Sequence, residues 1–63
     1  MISGPTRAFA EAFAEELEQV AKDYNTEGCE WSRQCAERRA EMAWCRAETL
    51  RAVAAACRKA AEQ

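Results

Sequence analysis

Four cysteines, Cys29, Cys35, Cys45 and Cys57, are the residues of this 63-residue chain most able to do chemistry, and no histidine accompanies them. Structural zinc sites place cysteines two to four residues apart, and iron–sulfur ligation has its own short spacings. No pair here has such a gap. On one straight helix Cys29 and Cys57 stand about 42 Å apart, at roughly 1.5 Å per residue, so they cannot share a metal within a monomer. The leading reading is that the thiols pack as small hydrophobic groups. Disulfides are the next reading. Cys35–Cys45 and Cys29–Cys57 would be nested around residues 40 to 43 and would give a three-helix, disulfide-stapled domain. A cysteine-based metal-binding or redox-controlled helical module, loaded across an oligomer, is the remaining alternative.

No other constellation points to catalysis. Without histidine there is no His-based acid, base or triad, and Ser3 and Ser32 have no evident base. Glu11–Glu15 and Glu37–Glu41 each share a helix face, but such pairs ordinarily face solvent. The Glu-x-x-His motif of di-metal bundles is absent. The expectation is a protein that is not an enzyme and carries no cofactor and no metal. Arg33, Arg38, Arg39, Arg46, Arg51, Arg58 and Lys59 are interleaved with Glu30, Glu37, Glu41 and Glu48, and the net charge is −2. That balance disfavours nucleic acid and anionic membranes as partners. No segment approaches the roughly 20 apolar residues of a membrane span. Met1 to Pro5 lacks a basic start followed by an apolar stretch. The chain reads as cytoplasmic, with its thiols reduced.

The elements that must position these residues are helical. Cys29 to Gln63 contains neither Gly nor Pro and is rich in Ala, Arg and Glu, which favours one long helix. Phe9, Phe13, Leu17, Val20 and Tyr24 recur at helical spacing, with a small-residue stripe of Ala10, Ala14, Leu17 and Ala21 beside them. Pro5 suits a first helical turn, with Ser3, Gly4 or Thr6 near the cap. Asn25-Thr26-Glu27-Gly28 is the one internal turn signal. The expected organisation is one helical domain over 1–63: helix one over 5–24, a turn at 25–28 and helix two over 29–62. The fold class is all-α, an antiparallel helical hairpin with a long second helix.

Helix two carries two stripes. Trp31, Cys35, Met42, Cys45, Thr49, Ala52 and Ala56 form one, with Arg38 in the gap, expected to face helix one. Ala36, Ala40, Ala43, Ala47, Leu50, Ala54, Cys57 and Ala61 form a heptad seam of small residues, expected to face a second copy. The hydrophobic fraction is 49%, but 15 of those residues are Ala, and each buried CH₂ contributes only about 0.8 kcal/mol. A lone hairpin of this size is therefore expected to self-associate, with the overhang of helix two from Thr49 onward covered in a dimeric four-helix bundle. Residues 1 to 27 carry six acids and two bases, and residues 28 to 63 five acids and seven bases, which fits complementary packing. The expected core is Phe9, Phe13, Leu17, Val20, Tyr24, Trp31, Cys35, Met42, Cys45 and Val53. The expected partner-binding residues are Trp44, Leu50, Arg51, Cys57 and Arg58, because Trp and Arg anchor interfaces. The functional expectation is a small adaptor, regulator or inhibitor that acts by helix-mediated binding to a larger protein.

Overall fold

Two antiparallel helices pair along nearly their whole length in the computed structural model, which describes residues 4–62. Helix α1 spans Gly4–Arg33 and α2 spans Glu37–Glu62. The rod they form measures 48 × 13 × 9 Å across its Cα atoms. Pro5 falls in the first turn of α1, where a missing N–H does no harm. Ser3 lies outside the described residues, and Gly4 is the first residue of α1.

The turn is not at 25–28. Helix α1 runs through Asn25, Thr26, Glu27 and Gly28 and ends at Arg33. The Thr26 hydroxyl donates to the Lys22 carbonyl at 3.0 Å, the ordinary back-bond of a threonine inside a helix. The chain reverses at Gln34, Cys35 and Ala36. The Ala36 amide donates to the Trp31 carbonyl at 2.9 Å and the Cys35 amide to the Ser32 carbonyl at 3.0 Å. Those two bonds make a Schellman C-cap. The residue at its left-handed position is Cys35, with φ 62°, where glycine is usual. The Ala36 carbonyl then accepts from the Ala40 amide at 3.0 Å, opening α2.

Because the turn lies late, the helices are nearly equal in length, 30 and 26 residues, and α2 has no bare overhang. Near the far end the Arg7 Nε donates to the Ala61 carbonyl at 2.8 Å. This bond satisfies one of the orphan carbonyls of the α2 C-terminus and places a cation at its negative dipole end. Since α2 is unbroken from Glu37 to Glu62, the three-helix stapled alternative fails. All four thiols are free. Cys45 stands nine residues beyond Ala36 in α2, about 13 Å of helical rise, far past the roughly 7 Å Cα separation a disulfide tolerates.

The core is small. Ala14 and Ala21 of α1 and Ala40, Ala43, Ala47, Ala54 and Ala61 of α2 are buried. Gly28 is buried with them, while Ala10, Leu17, Tyr24, Trp31, Ala36, Leu50 and Cys57 are half-buried. On both helices these positions alternate at three and four residues, so each contributes a heptad seam. The α2 seam therefore faces α1, and not a second copy. Of the stripe expected to face helix one, Met42 and Cys45 are left outside, and Trp31 is part of the α1 seam. Of the expected core, Leu17, Tyr24 and Trp31 are half-buried. Phe9, Phe13, Val20, Cys35, Met42, Cys45 and Val53 are exposed. Backbones meeting across alanines approach closely, and such a seam has no room between the helices for a phenylalanine ring.

Candidate functional site

The seam divides the hairpin surface into two flanks that differ in chemistry. At 100° per residue, Glu18 and Asn25 of α1 and Trp44, Arg51 and Arg58 of α2 fall on one side. Phe13, Val20 and Glu27 of α1 and Arg39, Arg46 and Val53 of α2 fall on the other, with Phe9 and Met42 beside them.

The first flank is closed by contacts within the chain. A Cβ built on Gly28 would stand 2.5 Å from the Trp44 indole. Gly28 is thus a helix-interior glycine whose missing side chain makes the seat for Trp44. Seated there, Trp44 is 37% exposed. Arg58 holds Glu18 through two hydrogen bonds, Nη2 to Oε1 at 2.6 Å and Nε to Oε2 at 3.3 Å. The hydrogen bond from Arg58 keeps the Glu18 carboxyl below its ordinary range, and that same bond raises Arg58. Of the residues expected to bind a partner, Arg58 is committed to Glu18, while Leu50 and Cys57 lie half-buried in the seam. Arg51 is exposed and lines a shallow groove with Asn25 and Trp44.

The second flank is open. Towards the loop, Arg39 lies 4.8 Å over the Trp31 ring and Arg46 5.7 Å over the Tyr24 ring. The Trp31 Nε1 donates to Glu27 at 3.3 Å. These pairs also set the register: residue 31 lies level with 39 and 24 with 46. Carried along antiparallel helices, that register puts Val53 level with Leu17, and Ala56 and Ala60 beside Phe13 and Phe9. The distal part of this flank is thus an apolar patch built by both helices. Phe9 is 74% exposed and Phe13 45%.

Among the described residues no three Cys, Asp or Glu side chains converge to hold a metal ion, and no helix is long and apolar enough to cross a membrane. Cys29 lies on α1 and Cys57 on α2. The register leaves them about 24 Å apart along the rod at 1.5 Å per residue. Compared with protein-family models, with curated proteins and with solved structures, the chain gives no match. The sequence signal for the open flank was present in the Phe9-Phe13-Val20 spacing, although it reads equally well as an inward face.

Proposed function

We propose that this chain is a small non-enzymatic protein-interaction module that works by helix-mediated contact, through the flank bearing Phe9, Phe13, Val20 and Val53. The observation that carries the reading is an inversion of side-chain size: the fully buried apolar side chains of the seam are alanines, while Phe9, Phe13, Val20 and Val53 stand outside it. A contiguous apolar patch on a small chain marks a surface that meets another protein. An amphipathic helix pair presenting aromatic residues at four-residue spacing fits helix-in-groove or helix-on-helix recognition. An adaptor, a regulator or an inhibitor of a larger protein would use this physics. A cytoplasmic location is supported by four free thiols, three of them exposed, which persist in a reducing compartment.

Hydroxyl-radical footprinting of the chain in an extract of the cells that make it tests the reading. Phe9 and Phe13 should oxidise much more slowly than in the denatured chain. Oxidation at the rate of freely exposed phenylalanine would sink the proposal.

A further inference from the structure

We infer that the occupant of the open flank is a second copy of this chain. The two hairpins sit face to face around a two-fold axis parallel to the rod, so that α1 of each copy lies beside α2 of the other. This rests on the contact reading above and names its partner.

Three observations converge on it. The first is area. The chain exposes 4810 Å², about 700 Å² more than the roughly 4,100 Å² expected of a compact monomer of its mass. That excess approaches the roughly 800 Å² per partner of a standard interface. A layer one helix thick cannot bury its own outer face, and a second layer completes a four-helix bundle.

The second is charge. Helix α1 carries seven acids and three bases, and α2 four acids and six bases. With the axis along the rod, each acidic helix has a net basic helix on both sides. The third is the order of groups along the flank. The distal part is apolar: Phe9, Phe13 and Val20 on α1, with Val53, Ala56 and Ala60 on α2. The part near the loop pairs signs: Asp23, Glu27 and Glu30 on α1 against Arg39 and Arg46 on α2. An axis along the rod keeps each level opposite itself. Apolar groups then meet apolar groups, and Asp23 and Glu27 meet the partner's Arg46 and Arg39. An axis across the rod would stack α1 on the partner's α1 and lay the phenylalanines on the acids near its loop end. Glu16 is the one acid among the apolar levels, and it sits towards the rim. Leu17, Tyr24 and Leu50, half-buried in the isolated hairpin, lie between seam and flank and become the centre of the bundle.

Sedimentation equilibrium on the full chain at about 100 µM should give a dimer. Two variants place the same charge on neighbouring residues of the same helix. Phe13→Glu should raise the dissociation constant about 30-fold or more, as loss of an interface anchor does. Ala12→Glu, on the outer surface, should leave it unchanged. Circular dichroism shows whether each variant keeps its helix. For orientation, a spin label on the native Cys35, with Cys29, Cys45 and Cys57 replaced by alanine, should report the two loops within about 30 Å. A crossed arrangement separates them by about 45 Å of helical rise. A helical monomer, equal effects of the two glutamates, or the long distance would overturn the inference. A monomer whose Phe9 and Phe13 are nevertheless protected in extract would leave the contact reading standing with a different partner. A monomer unprotected in both settings would remove both.

Discussion

The inside of this hairpin and its outer flank contain opposite kinds of residue. Between the helices are Ala14, Ala21, Ala40, Ala43, Ala47, Ala54 and Ala61; outside are Phe9, Phe13, Val20, Met42 and Val53. In an ordinary small domain the large groups are buried because they contribute most per side chain. Here the seam supplies close backbone approach and registration, while the groups with the largest hydrophobic contribution remain available for a second association. Stability of the pair and capacity for contact are thereby carried by different residues. Each can be altered without the other.

The largest expected effect breaks the inside. Ala47→Leu inserts three carbons where two backbones meet and should destabilise the hairpin by about 3 kcal/mol. The change is read as a drop in Tm at fixed protein concentration, since association raises Tm. The same enlargement at Ala12, on the outer surface, should be nearly neutral. Equal effects at the two positions would mean that the seam is not close-packed.

Next in size is the seat of Trp44. Gly28→Ala gains about 1 kcal/mol of helix propensity but drives a Cβ to within 2.5 Å of the indole, an overpacking that costs about 1–3 kcal/mol. It should therefore destabilise by about 1 kcal/mol where Trp44 is present and stabilise where Trp44→Ala has emptied the seat. A denaturant double-mutant cycle reads the change of sign. Additive effects would place Trp44 elsewhere.

The loop should respond in the opposite direction. Cys35 holds a left-handed φ of 62°, a conformation that costs a non-glycine residue about 1–2 kcal/mol. Cys35→Gly relieves that at the expense of some unfolded-state entropy, for a net gain of about 0.5–1 kcal/mol. Urea midpoints of the two chains measure it. A loss of stability would contradict a Schellman cap at this residue.

The smallest effect belongs to the closed flank. The Glu18 carboxyl lies below its ordinary value of 4.5 because Arg58 hydrogen-bonds it. Its contribution is therefore fully present above that unfolded value and is lost as pH falls through the folded one. Arg58 is charged throughout this range and adds no slope. Tm measured from neutral pH into acid should fall slightly more steeply for the natural chain than for Glu18→Gln, with the difference reduced by salt. Parallel profiles would mean the ion pair contributes nothing.

Much of this architecture was legible in the sequence. The helical character of both segments, their antiparallel pairing and the α2 seam from Ala36 to Ala61 all follow from spacing. The position of the turn did not. Asn25-Thr26-Glu27-Gly28 has turn residues, but tertiary packing overrides their weak preferences: Tyr24, Gly28 and Trp31 continue the Ala14-Leu17-Ala21 seam, and Trp44 fills the space that Gly28 leaves. Following that seam through Trp31 would have located the turn beyond it. Gln34-Cys35-Ala36 has no glycine or proline and gives almost no local signal. The inversion of core and surface was hidden for a different reason. Periodicity identifies a face but not what covers it, and a stripe of phenylalanines outweighs a stripe of alanines on any hydrophobicity scale.

Small residues join the helices of one chain along the seam, and the phenylalanines stay outside it. Isotope-filtered nuclear Overhauser spectra of a mixed labelled and unlabelled sample separate contacts within a chain from contacts between copies. Intrachain contacts are expected of Gly28 with the Trp44 ring, Tyr24 with Arg46 and Trp31 with Arg39, and none from the Phe13 ring to Ala47 or Ala54. Intrachain contacts from Phe13 to those seam alanines, with Gly28 silent towards Trp44, would contradict that packing.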